Sequence, residues 1–578
     1  MIAIMNSYKS PVRKIHRFYT LIFKGLRTQR DMPKLLARRV PIPHPSSPST
    51  GHPTMANRSL FQTLRGALIL QTNATNDAAA PAYALGPKAA LARLAATGCL
   101  SQTFYASAET QLDRVLELAQ QVDTDILAQT AIYARQRGFM KDMPALLCAV
   151  LATRDIDRLI EVFPQVIDNG KMLRNFVQIL RSGVTGRKSL GSAPKRLVRQ
   201  WLERATERQL VQATIGNDPS LADVVKMVHP RPADAARQAF YAWLIGKPYD
   251  VAALPESLRT FEAWKISREG EVPDVPFQML TAQDLGEKEW SVIASNASWQ
   301  TTRMNLNTFA RHGVFRDAAQ VKKLASRLAD PDLVRRARVF PYQLLVAFMN
   351  AGKEVPVELQ NALQDAMETA IGNVPEIKGK IVICPDVSGS MQSSVTGFRQ
   401  GASSKVRCID VAALVAAAFL RKNASARVLP FEVNVVEIKL NPRDSVMTNA
   451  AALAKIGGGG TNCSAPLARL NQEKSTPDLV VFVSDNESWA DPKANRGTAM
   501  MVEWEKLKTR NPKARLVCID ITPNTTTQAP DRKDILNVGG FSDTVFDLIA
   551  SFAAGADGTD HWIKQIELQP LAKHMKTA

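Results

Sequence analysis

The chain has 578 residues, of which 45% are hydrophobic and 22% charged, an ordinary globular balance with room for two or more domains. Its longest uninterrupted apolar run, "VAALVAAAFL" (411–420), is too short to cross a bilayer and is bounded by Asp410 and Arg421. A formal charge of +19 favours polyanionic partners, while six scattered cysteines with no CxxC or Cys/His spacing exclude a zinc-finger pattern and a dense disulfide framework. A reducing compartment, the cytoplasm, is the expected setting.

Residues 1–54 carry ten Lys or Arg against one acid, Asp31, so +9 of the total sits there. The stretch ends in "PIPHPSSPSTGHP" (41–53), a composition that cannot build a core. We read 1–54 as a basic disordered arm, or as an extension upstream of a start at Met55.

A helical domain is expected over 55–374. "AETQLDRVLELAQQV" (108–122), "DILAQTAIYARQRG" (125–138), "MPALLCAVLATR" (143–154), "IDRLIEVFPQVIDN" (156–169) and "MLRNFVQILRSG" (172–183) repeat apolar residues at three- and four-residue intervals. Several open on Asp or Ser and close on Gly or Asn, as helices do. So many short helices in close succession predict repeat stacking of the HEAT type, with a plain bundle as the alternative.

Inside that block, "TGRKSLGSAPKRLVRQWLERATERQ" (185–209) concentrates positive charge. Lys195 and Arg199 lie four apart and Arg196 and Arg199 three apart, so one helix face presents all three, with Arg187 and Lys188 in the loop before it. Such a face grips phosphates without sequence choice and with steep salt dependence. The alternative is a solvated surface on which Arg199 pairs with Glu203 and Arg204 with Glu207. Trp201 shares helical spacing with Leu197 and is expected in the core rather than on a base.

The pattern changes over 375–556. "KGKIVICPD" (378–386), "PDLVVFVSD" (477–485) and "RLVCIDIT" (515–522) are apolar strands without alternation; "ARVLPFEV" (426–433) and "VVEIKL" (435–440) are predicted as two more. Helices are predicted at 408–423, 498–509 and 541–553, which makes this an α/β domain with a mostly parallel sheet covered on both faces. Ligands in such sheets bind beyond the carboxyl ends of the strands. Residues 557–578 are read as a tail.

Three fragments reach that carboxyl edge. The first strand runs into Asp386-x-Ser388-x-Ser390, a glycine run leads into Thr461 ("GGGGTNCSAP", 457–466), and "VVFVSD" ends in Asp485. Hydroxyls and carboxylates are hard oxygen donors, so the implied species is a small divalent cation, Mg²⁺ foremost. Few direct carboxylates leave the ion with positive charge and a coordination position for an outside acid. Nucleophilic serine chemistry lacks a base, since no His follows in the domain before His561, and no Gly-Lys-Ser/Thr follows the glycines to make a phosphate loop.

These residues resemble the metal-ion-dependent adhesion site of the von Willebrand A family. "DVSGSM", "GGTNCSAP" and "VSDNESWA", with "RRARVFPYQLLVAF" (335–348) and "DPSLADVVKMVHPRP" (218–232), resemble the Ro autoantigen family of TROVE-domain proteins over about 57–555. "APAYAL" (80–85) departs from the paired glycines usual there, and 1–54 has no counterpart. The resemblance implies a ring of helical repeats closed by the A domain. It implies a non-catalytic, monomeric protein that holds single-stranded 3′ ends of misfolded or structured RNA in a basic central hole, and small Y-like RNA outside. It also implies work in RNA quality control or turnover alongside an exoribonuclease such as polynucleotide phosphorylase. On that reading His229, Arg231 and Arg303 line the hole; otherwise His229 caps a helix end. The rival reading is an interaction scaffold whose metal site grips an acidic partner.

Overall fold

The computed structural model describes residues 69–572, apart from 98–99, 101–104, 338, 340, 375, 396–405, 495, 541–542 and 557. The arm or extension expected at 1–54 lies outside the described residues.

Two short strands, β1 (Ala74–Thr75) and β2 (Pro81–Ala84), open the described chain, and helices then follow one another from Pro87–Thr97 to Val357–Ala370. Side-chain caps start them where the sequence calls for starts. Ser107, Asp123 and Asn169 each accept a hydrogen bond from the backbone N–H three residues on, and Gly183 and Gly246 end helices in the left-handed conformation. From Pro87–Thr97 to Leu221–Val228 the helices pack mainly on those one to three positions along the chain, the pattern of a stack.

The helical series has two cores. Leu85 to Leu258 bury one apolar cluster of their own. From Phe261 to Val374 the buried residues instead join the core of the α/β domain, continuous with Ile383, Val411 and Phe546. The second half of the series is therefore welded to the α/β domain by apolar burial, the dominant stabilising term.

In that domain β4 (Arg427–Val428), β3 (Ile381–Pro385), β5 (Leu479–Ser484), β6 (Arg515–Asp520) and β8 (Ile535–Gly539) form a parallel five-stranded sheet in this order. Every residue of β3, β5 and β8 is buried, which is why β3 and β5 read as continuous apolar runs. The helix Cys408–Lys422 is buried without interruption from Cys408 to Leu420, so no amphipathic face was needed there.

Two expectations are corrected and one strand is added. "VVEIKL" (435–440) forms no strand; its backbone runs on from Phe431, and Val436 N–H returns to Pro430 O at 2.8 Å. β8 carries the fifth position instead, a strand whose central Asn537 hid it from an apolar-run reading. The supposed tail holds the helix Gly558–Glu567, with Trp562 buried and its indole N–H donating to the Tyr133 hydroxyl at 3.1 Å.

The start of the described residues also meets the α/β domain. β2 pairs antiparallel with β7 (Thr526–Thr527), and Tyr83 packs among Cys384, Phe482 and Trp504. Both ends of the helical series are thus seated on one α/β domain, and the path of the chain is closed.

Candidate functional site

The carboxyl edge of the sheet gathers the oxygen donors. β3 and β5 are adjacent and parallel, with Pro385 opposite Val483, so Asp386 and Asp485 leave the sheet side by side. Ser388 N–H donates to Asp386 Oδ1 at 2.8 Å, and the Ser484 hydroxyl donates to Asp386 Oδ2 at 2.6 Å. The Ser388 and Ser390 hydroxyls lie 3.3 Å apart, and the Thr461 hydroxyl donates to Ser388 Oγ at 3.0 Å. Gly458 and Gly459 take positive φ, and the Gly459 carbonyl accepts from Gly389 N–H at 3.1 Å, which carries Thr461 to the serines. All five predicted metal-site residues meet here, and all are buried.

The electrostatics mark the edge as short of positive charge. Burial raises the carboxyls of Asp386 and Asp485 above the usual carboxylate range, and the charge of Asp485 adds to the rise at Asp386. Among the described residues neither acid forms an ion pair with Lys or Arg. Two buried acids without a counter-cation, facing three hydroxyls, are a donor set that fits a small divalent ion.

Sequence reasoning missed the shell around these residues. Glu487 is buried, accepts from the Asn524 amide and from Ala78 N–H at 3.3 Å, and is pushed up to about 8 by burial with help from Asp485, Asp77 and Asp520. Asp520, at the end of β6, meets Arg93 from the helix Pro87–Thr97 in a fully buried ion pair. Burial, opposed by Arg93 and aided by Asp485, pushes Asp520 up to about 7. The Asn76 amide donates to Ser488 O at 2.9 Å, and Arg114 pairs with Asp77 at 2.6 Å while reaching Asn524 at 3.2 Å. Tyr105, in the loop before the helix Ala108–Gln121, shares a hydrogen bond with Ser390. The N-terminal end of the helical series thus covers part of the carboxyl edge. Glu487 belongs to the "VSDNESWA" stretch, whereas no local motif announces Asn76, Asp77, Arg93, Tyr105 or Arg114, which act on residues far along the chain or from a featureless loop.

The predicted cationic face is built around the helix Ser192–Arg204. Arg196 is exposed and Lys195 half-buried; Lys188 is exposed in the loop before. Arg187 is anchored on the Ala152 carbonyl and lies against Gly191 at the start of the helix. Arg199 donates to the Val228 carbonyl, which brings the end of the helix Leu221–Val228 alongside. His229 caps that helix in the left-handed conformation, exposed, and Arg231 follows, also exposed. Seven of the eight predicted RNA-binding residues therefore fall in one neighbourhood. None of the seven pairs with an acid among the described residues, so the Arg199–Glu203 alternative is not what the side chains do. Trp201 is half-buried against the first helical core.

Arg303 is a correction. It is buried in the helix Trp299–Met304, donates to Gln343 O at 2.7 Å, and burial lowers it to about 10. It ties two helices together and offers no surface to a polyanion.

Residues 380–553 match the family model described as the Ro60 vWA domain. The chain is 26% identical over 517 residues to the RNA-binding protein RO60 of Deinococcus radiodurans, covering 83% of this chain and 95% of that one. It is 24% identical over 184 residues to the RNA-binding protein RO60 of Caenorhabditis elegans, 30% of this chain and 28% of that one. The crystal structure of the Deinococcus radiodurans RO (RSR) protein aligns with a TM-score of 0.57 at 23% identity, covering 81% of this chain and all of that one, a likeness of fold.

Proposed function

We propose that the chain is a member of the Ro family and, as its relatives are named, an RNA-binding protein. The observation that carries the reading is the unneutralised cluster of Lys188, Lys195, Arg196 and Arg231 beside the Ser192–Arg204 helix. Unpaired surface cations at helix spacing meet backbone phosphates, release counter-ions and bind without reading bases. The finer reading is a preference for single-stranded 3′ ends of misfolded or structured RNA, with small Y-like RNA on the outer surface. A role in RNA turnover beside an exoribonuclease, in the cytoplasm, belongs to the same proposal.

Asp386, Ser388, Ser390, Thr461 and Asp485 would hold Mg²⁺ or another divalent cation. Bound there, the ion supplies a Lewis-acidic position for an outside carboxylate. The chain's own part is to fix the hydroxyls with the bonds around Asp386 and to keep water from the buried acids.

Lys195→Glu with Arg196→Glu tests the RNA reading; Arg199 is left alone because it holds the Val228 carbonyl. Filter binding of an RNA with an unpaired 3′ tail is expected to weaken, with the salt slope falling by about one for each phosphate that is no longer neutralised. An unchanged affinity and slope removes this face from the function.

A further inference from the structure

The opposite edge of the sheet carries a second site. The amino ends of β5 and β6 border a cavity of about 460 Å³ lined by Lys378, Lys508, Lys513, Arg515 and Lys533 against two acids, Asp478 and Asp534. Ligands in open parallel sheets are expected at the other edge, so a cation-lined cavity here is not a by-product of the metal centre.

Both acids are already committed. Asp478 Oδ2 accepts from Lys380 N–H at 2.8 Å and Oδ1 from the Asn511 amide at 3.2 Å. Asp534 accepts from Arg532 through Nε at 2.9 Å and Nη2 at 2.8 Å, and from the Trp504 indole at 3.2 Å. Arg532 thus supplies Asp534 with a counter-charge from outside the cavity lining. Lys508 approaches Asp534 only at 3.4 Å.

Two of the cations are held in place by carbonyls and a ring, Lys508 with Asp534 also in reach and Arg515 with no acid paired to it among the described residues. Lys508 donates to the carbonyls of Pro512 and, at 2.9 Å, Ala514. Arg515 donates to Ala556 O at 2.6 Å and lies over the Phe552 ring, 4.8 Å from its centroid. A carbonyl or a ring face orients a cation but leaves its charge, so these side chains are fixed as donors before any ligand arrives. Lys378 and Lys513 stand exposed and make no ion pair among the described residues. The cavity is far larger than one phosphate and suits a molecule of nucleotide size.

We propose that this amino-edge cavity is a phosphate-recognition site, taking the phosphates of a nucleotide either free or within a polynucleotide chain. The shared chemistry is an oxyanion of two or more charges met by fixed Arg and Lys donors and by two mobile lysines at the rim. The site stands apart from the Ser192–Arg204 face and does not depend on what that face binds.

The test uses the full chain in EDTA, so that no cation at the metal edge attracts the probe. Inorganic pyrophosphate is titrated by calorimetry and a fluorescein-labelled oligouridylate by anisotropy. Each is repeated with Lys378→Glu plus Lys513→Glu, and with the milder Lys378→Gln plus Lys513→Gln in case charge reversal disturbs folding. Pyrophosphate binding to the unaltered chain, weakened about tenfold by the double variants, is the expected result. If the oligouridylate weakens in parallel, the natural source is the polynucleotide backbone; if it does not, the source is a free phosphorylated molecule. Absence of pyrophosphate binding, or binding indifferent to both double variants, overturns the proposal. Failure of the Lys195/Arg196 variant to change RNA binding would not touch it.

Discussion

One sheet presents two edges of opposite character. At the carboxyl edge Asp386, Asp485, Glu487 and Asp520 are buried together, served among the described residues by one buried guanidinium, Arg93. At the amino edge Lys378, Lys508, Lys513, Arg515 and Lys533 ring an open cavity whose two acids are held by other groups, with Lys508 also paired to one of them, Asp534. The difference is one of dielectric. Exposed lysines hold their charge in water at little cost, whereas buried carboxylates must find a cation, a proton or a hydrogen-bond donor each. The carboxyl edge is therefore the place where small changes carry large energies, and the amino edge the place where charge reversals are tolerated.

Removing Arg93 breaks the first half of that comparison most sharply. Arg93→Met leaves the Asp520 carboxylate buried without its cation and cuts the tie between the helix Pro87–Thr97 and β6. Loss of one partner of a buried pair costs about 3–5 kcal/mol. Denaturant unfolding monitored by tryptophan fluorescence is expected to show that loss, whereas the Lys378/Lys513 double variants stay close to the parent. A mild effect at Arg93 would mean that Asp520 already holds a proton in the folded chain.

Next in size is the response to pH. The folded-state carboxyls of Asp520, about 7, and Glu487, about 8, both lie above the unfolded carboxylate range. The folded chain thus binds these protons more tightly than the unfolded one. The stability they confer is complete below about pH 4 and is lost as pH rises through about 7 to 8. In EDTA the melting temperature should fall by several degrees on going from about pH 5.5 to about pH 8. A divalent cation replaces the lost protons, so Mg²⁺ should restore stability at the higher pH and do little at the lower. Ser388→Ala should abolish the restoration. Melts that do not move with pH, or that Mg²⁺ shifts equally at both pH values, would contradict this account of the edge.

How much of this was legible beforehand follows the same division. Asp386, Ser388, Ser390, Thr461 and Asp485 stood out because strand ends and a glycine run are local patterns, and the parallel order of β3 and β5 brings them together as those patterns require. The helix Ser192–Arg204 was equally readable from spacing. Arg303 was misread because charge alone does not tell a surface cation from one buried against the Gln343 carbonyl. Arg93 sits in an alanine-rich helix with nothing beside it to suggest a partner more than 400 residues away. The amino-edge cations escaped notice because they arrive on the separate approaches to β3, β6 and β8, and only the sheet order assembles them. Long-range pairing, not local chemistry, is what the linear pattern withholds.

The smallest effect sits where the helical series touches the metal edge. Ser390 is hydrogen-bonded to Asp485 and to Tyr105. A carboxylate is an acceptor only; with the Ser390 proton given to Asp485, the phenol of Tyr105 is the one left to donate to the Ser390 oxygen, and the outcome expected on removing that phenol has this arrangement as its premise. An incoming cation needs lone pairs on that same oxygen. Tyr105→Phe removes the competing donor while keeping the ring, so two readouts should move in opposite directions. Unfolding free energy drops by about 1 kcal/mol, the net worth of one hydrogen bond. Mg²⁺ affinity, measured by calorimetry, rises by up to about fivefold, the same energy returned to the ion. Were the affinity to fall along with the stability, Tyr105 would be supporting the cation site rather than contending for it, and the helical series would then act as part of the metal edge instead of its cover.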